Sequence, residues 1–182
     1  MKIFGDVLDP GVAERLRRGE VGVIRTDTLY GLLACVNNQS AVERIFTIKR
    51  RSPDKPVLVL ISSADDLFDT YSIDSFMDSL WPGKNTIILP APSSPLWVRR
   101  GTNTVAYRLP DNTELQSLIQ QTGPLIAPSA NPEGEAPAAT IEQAIAYFGE
   151  MVDFYVDSGE VTDSTPSRLL RLQTDGTMER LR

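Results

Sequence analysis

The chain has 182 residues, 41% of them hydrophobic, 23% charged and 7% aromatic. These are globular proportions for one domain and exclude disordered, collagen-like and coiled-coil classes. Histidine is absent and Cys35 is the single cysteine, which removes Ser-His-Asp triads, Cys-His dyads, histidine-based zinc sites and internal disulfides. With no imidazole to activate its thiol, Cys35 reads as a small core residue.

Eighteen Lys and Arg face 24 Asp and Glu, for a net charge of −6. That balance argues against a protein that grips duplex DNA through a basic face. The basic residues are uneven, however. Arg44, Lys49, Arg50, Arg51 and Lys55 fall within twelve positions, a local cluster suited to an anionic small ligand. No stretch approaches the roughly 20 apolar residues that span a bilayer. Asp6 and Asp9 stand where a signal peptide would need an apolar core. The expectation is a cytoplasmic protein without membrane contact.

In chain order, Asp9-Pro10 opens a helix that Gly19 stops. Residues 20–25 read as a strand leading into a polar turn, Thr26 to Gly31. Ser40-x-x-Glu43 is a capping box for a helix that Pro53 ends. The apolar run 56–62 reads as a buried strand. Ser63 caps a short helix through Phe68, and a second runs over 74–80. Residues 85–89 and 104–109 are expected strands, with 90–101 irregular between them. Asn112 caps a helix that Gly123 terminates. A strand over 124–127 runs into Ser129-Ala130-Asn131-Pro132. Thr140-x-x-Gln143 opens another helix, 152–156 is a strand, and 169–181 is a closing hairpin. The pattern predicts a single α/β domain over 1–182, with a twisted mixed parallel and antiparallel sheet and helices packed on it. Ligands on such sheets sit at the carboxyl ends of strands, where the loops 26–31 and 128–132 fall.

Neither a P-loop nor a Rossmann glycine motif is present. Four pieces remain as candidates, each with a plain alternative. Lys49-x-Arg51 either complements a helix dipole in solvent or holds a polyanion. Ser129-x-Asn131 is either a turn or a hydroxyl and amide offered to oxyanions. Thr26-Asp27-Thr28 either caps a turn or rims a site. Arg108, inside an apolar strand, either points outward or holds a carboxylate bidentately.

In this order, TDTLYGLLA, KRRSPDKP, WPG, TVAYRLPDN, PLIAPSANPEG and SRLL resemble the YrdC family, the threonylcarbamoyl-AMP synthases, from about Val21 to Arg180. The resemblance implies a YrdC-like fold and a catalytic set of Lys49, Arg51, Ser129 and Asn131. It implies an L-threonine site of Thr28, Arg108 and Ser167. It implies nucleotide contacts at Arg51, Lys55, Thr104, Ser129 and Arg180, with Arg182 as a poorer match for the last. The implied reaction is a nucleotidyl transfer that forms threonylcarbamoyl-AMP and pyrophosphate from L-threonine, bicarbonate and ATP. Mg²⁺ accompanies ATP, and protein partners carry the product to adenosine in tRNA. The alternatives are a module of the same fold contacting RNA or tRNA, and a paralogue with a changed reaction. Ala127 and Leu60 depart from polar residues found in some relatives. Longer relatives carry an additional C-terminal domain, and none is expected within these 182 residues.

Overall fold

The computed structural model describes residues 1–71, 78–163, 165–173 and 175–182. In it the strands are β1 (Lys2–Phe4), β2 (Gly22–Arg25), β3 (Tyr30–Cys35), β4 (Leu58–Leu60), β5 (Asn85–Pro90), β6 (Thr104–Arg108), β7 (Leu125–Ile126), β8 (Phe154–Val156), β9 (Arg168–Leu172) and β10 (Met178–Arg180). The helices are α1 (Pro10–Arg17), α2 (Gln39–Lys49), α3 (Leu96–Arg99), α4 (Thr113–Thr122) and α5 (Ile141–Phe148). The strands join in one sheet in the order β1-β8-β2-β3-β7-β4-β6-β5-β9-β10. Pairs such as β4 and β6 run parallel, while β2 and β3, or β3 and β7, run antiparallel.

Alternation along the strands sends side chains to both faces. Leu32 and Ala34 of β3 join a core with Val42, Ile45 and Phe46 of α2 and Phe148 of α5. Leu33 and Cys35 join the opposite core, with Leu16 of α1 and Leu118 and Ile119 of α4. The result is a sheet covered by helices on both faces, so its central strands read as apolar runs. Among the described residues no helix is long and apolar enough to cross a membrane.

Several expectations shift. The polar turn ends early, because Tyr30 to Cys35 is a fully buried strand that pairs with β2. Lys2–Phe4 adds an edge strand, and the irregular stretch holds the short helix α3. The cap of α2 is Asn38, whose side chain accepts from the Ala41 N–H at 3.0 Å. Ser40 lies inside the helix and donates to Asn38 Oδ1. Asn38 takes the N–H three residues on, so the helix starts two residues earlier than the expected Ser40 cap. The helix expected over 74–80 lies largely outside the described residues.

Candidate active site

The β3–β7 pairing continues past β7. Leu32 N–H donates to the Pro128 carbonyl at 2.9 Å, and Ala130 N–H to the Tyr30 carbonyl at 2.7 Å. Gly31 opposes Ser129 in this extension. A Cβ at Gly31 would lie 2.9 Å from Leu33 Cδ1 and 3.2 Å from the Pro128 carbonyl, so a side chain there would crowd this close approach. This pairing fixes Ser129 over the start of β3.

Lys49 is the last residue of α2 and is 3% exposed. Its ammonium donates to the Ser129 carbonyl, to the Asn131 carbonyl at 2.6 Å and to Asn131 Oδ1 at 3.3 Å. Asn131 Oδ1 also accepts from Ser129 Oγ at 2.6 Å. Burial, followed by the neighbouring Arg51 charge, pushes the Lys49 ammonium down to about 8. All three of its protons are directed at acceptors of the turn. Lys49 therefore braces the Ser129–Asn131 turn from behind.

Arg50 then adopts the left-handed conformation, φ 53°, which turns the chain so that Arg51 leaves on the other side. Arg51 donates to the Pro56 carbonyl at 2.7 Å and lines a cavity of about 300 Å³. Thr28, Arg108, Ser129, Ser167 and Arg182 line the same cavity, and among the described residues no carboxylate side chain does. The volume lies at the small end of ligand pockets. Three guanidinium groups in the lining favour an anion there, although Asp27 pairs with Arg108 and Glu133 acts on Arg51 from outside the lining.

At one end Arg108 lies 2.8 Å from Asp27, donates to Thr28 Oγ1 at 3.2 Å and approaches Thr26 Oγ1 at 3.4 Å. Ser167 Oγ is hydrogen-bonded with Thr86 Oγ1 at 2.7 Å, and Arg182 donates to the Ser167 carbonyl at 3.2 Å.

The model of the Sua5/YciO/YrdC family, described as telomere recombination, matches residues 14–182. The chain belongs to this family. A threonylcarbamoyl-AMP synthase of Pseudomonas fluorescens (strain Pf0-1) is 34% identical over 168 residues, covering 89% of this chain and 91% of that one. P. abyssi Sua5 has been solved as a double-substitution variant and complexed with L-threonine. The two structures match with TM-scores of 0.88 and 0.84, at 28% and 29% identity over 100% and 93% of this chain. The chain spans 60% and 52% of those longer Sua5 chains.

Within this Sua5/YciO/YrdC chain, the residues expected at the site separate into groups. Arg51, Ser129, Thr28, Arg108 and Ser167 meet at the cavity. Lys49 and Asn131 stand behind it. Lys55 and Thr104 are not in its lining. Both lie at the N-terminal edge of the parallel pair β4 and β6, the opposite end from Arg108. The five clustered cations also disperse. Arg44 pairs with Asp153 at 2.6 Å, Arg50 is exposed, and Lys55 pairs with Glu133.

Arg180 and Arg182 take different places. Arg180 is exposed on the edge strand β10, whereas Arg182 lines the cavity. After β10 the Leu181 and Arg182 N–H groups bond to the Leu169 carbonyl, and Arg182, itself exposed, reaches the cavity rim through its bond to the Ser167 carbonyl. Asp27 stands in the sequence within Thr26-Asp27-Thr28 with no role of its own, and the structure pairs it with Arg108. Its signal was present, as the one carboxylate between two threonines of the first motif. Of the departures, Ala127 lines the cavity, while Leu60 packs in the core beneath α1 and α4.

Proposed function

We propose that this chain is an L-threonylcarbamoyladenylate synthase, a nucleotidyltransferase serving threonylcarbamoylation of adenosine in tRNA. The observation that carries the reading is the composition of the cavity wall. It offers Arg51, Arg108 and Arg182 with the hydroxyls of Thr28, Ser129 and Ser167, and among the described residues no carboxylate side chain. Its proposed occupants, the L-threonine carboxylate, bicarbonate and the phosphates of ATP, are all anions. The relatives named threonylcarbamoyl-AMP synthase and the L-threonine complex of P. abyssi Sua5 support the same assignment.

On this reading Arg108 takes the threonine carboxylate, because a planar fork matches it bidentately. Thr28 and Ser167 meet the polar groups of the amino acid. Arg51 and Ser129 face the carbamate and the α-phosphate. The nucleotide extends toward Lys55 and Thr104, and Arg182 contacts it from the other wall. A carbamate oxygen attacks the α-phosphorus, an O–P bond forms, and the bond to the departing pyrophosphate breaks. Without histidine, the chain works by positioning and by offsetting developing charge.

The donor set, guanidinium, ammonium and hydroxyl, suits phosphate oxygens. Among the described residues no group of three or more His, Cys, Asp or Glu gathers to hold a metal. Mg²⁺ therefore fits this site as an ion carried by the triphosphate, where it would neutralise phosphate charge. Delivery of the product to tRNA falls to protein partners.

The test is incubation with ATP, Mg²⁺, bicarbonate and L-threonine. Pyrophosphate release that depends on threonine and bicarbonate is expected. Its absence, or equal release with unrelated amino acids, defeats the assignment.

A further inference from the structure

Glu133 follows the Ser129–Asn131 turn, and its N–H donates to the Lys49 carbonyl at 2.8 Å. Its carboxylate reaches back over the 51–56 segment. Oε2 accepts from the Ser52 N–H at 3.1 Å, and Oε1 accepts from the Lys55 ammonium. The Arg51 guanidinium acts on the same carboxylate and helps hold it in the charged form. A backbone N–H, an ammonium and a nearby guanidinium around one pair of oxygens form the donor set that a phosphate group accepts from.

The contact is also built to be exchanged. Glu133 and Lys55 side chains are 32% and 53% exposed. Water and salt compete for such a pair, so it contributes little to folding. A triphosphate carries more charge and more acceptor oxygens than one carboxylate. It is therefore the stronger claimant on Ser52, Lys55 and Arg51.

We propose that Glu133 is an internal anion that occupies the phosphate position in the free protein, and that nucleotide binding displaces it. This inference rests on the nucleotide reading given above. It predicts a sign opposite to that of a simple clasp. If Glu133 only held the two loops in place, neutralising it would loosen the site and weaken nucleotide binding. If it competes with phosphate, neutralising it strengthens binding.

The experiment is calorimetric titration of the wild type, Glu133→Gln and Glu133→Ala with Mg·ATP and, separately, with inorganic tripolyphosphate. Glu133→Gln keeps an acceptor for the Ser52 N–H while removing the charge. The expected result is a Kd lower by about fivefold for both probes in both variants, the order of one exposed charge interaction. The difference should shrink as salt rises. L-threonine affinity should not change. Unchanged or weaker binding by Glu133→Gln, with wild-type binding intact, overturns this inference alone. If the wild type binds neither probe, the nucleotide reading fails and this inference fails with it.

Discussion

Arg108 Nη2 lies 2.8 Å from Asp27 Oδ1, and the two side chains are only 4% and 6% exposed. The contact is ionic without hydrogen-bond alignment, since neither Asp27 oxygen nor Arg108 Nε has a hydrogen-bond partner. Burial pushes the Asp27 carboxyl up and the Arg108 guanidinium down, and their mutual attraction opposes both shifts. The pair forms a partition. Arg108 lines the arginine-rich cavity, while Asp27 lines a separate hollow of about 370 Å³ beside Asp111 and Glu114. Asp27 thus holds Arg108 from the side of that second hollow, while Arg108 lines the arginine-rich cavity.

Removing one partner of a buried ion pair strands the other charge. Asp27→Asn should therefore destabilise the protein by on the order of 3 kcal/mol in urea unfolding. A change within experimental error would show that water already solvates Arg108 from the cavity.

Arg108→Lys replaces a fork with a point charge. The KM for L-threonine should rise about tenfold, corresponding to the loss of one charged hydrogen bond, with the KM for ATP little altered. Steady-state kinetics with each substrate varied in turn separate these effects. A rise confined to ATP would assign Arg108 to the nucleotide.

The late arginines give a paired comparison. Arg182→Ala should raise the KM for ATP, because Arg182 lines the cavity. Arg180→Ala, on the exposed edge strand, should leave both KM values near those of the wild type. Reversed outcomes would contradict the placement of the chain after β10.

Lys49 sets the alkaline behaviour. With its ammonium pushed down to about 8, raising the pH through that value removes a donor from the Ser129–Asn131 turn. A pH profile of kcat/KM should fall on a limb near about 8, and Lys49→Arg should shift that limb upward. Stability moves in the other direction. Between about 8 and the ordinary 10.5 the unfolded chain binds the Lys49 proton and the folded chain does not. The contribution of this group to folding stability therefore increases with pH across that window.

Cys35 should be chemically silent. Its thiol is buried and pushed up to about 11 by that burial, so little thiolate exists near neutrality. Cys35→Ser should keep most of the turnover, and a thiol reagent should label the wild type only on unfolding. Complete loss of activity in folded Cys35→Ser would contradict this.

Local patterns in the sequence carried much of the architecture. Asp9-Pro10, Asn112 and Thr140 marked helix starts at positions that the structure keeps, because capping depends on neighbours within one turn. The apolar run after Pro56 marked a central strand for a similarly local reason. The absence of histidine excluded whole classes of chemistry outright. Motif order also brought out Arg51, Ser129, Thr28, Arg108 and Ser167 together, and these residues meet at one cavity.

What local patterns could not decide was direction and partnership. In the sequence Tyr30 and Gly31 read as the end of the polar turn and 32–35 carry no assignment, and the strand over Tyr30–Cys35 is defined by pairing with β2 and β7. Lys49 and Arg51 are two residues apart, yet one is buried behind the turn and the other faces the cavity. That separation depends on the backbone of Arg50. Asp27 and Arg108 are 81 positions apart, and Lys55 and Glu133 are 78. Such ion pairs arise only when distant strands and loops are brought together, because charge is felt through space and not along the chain.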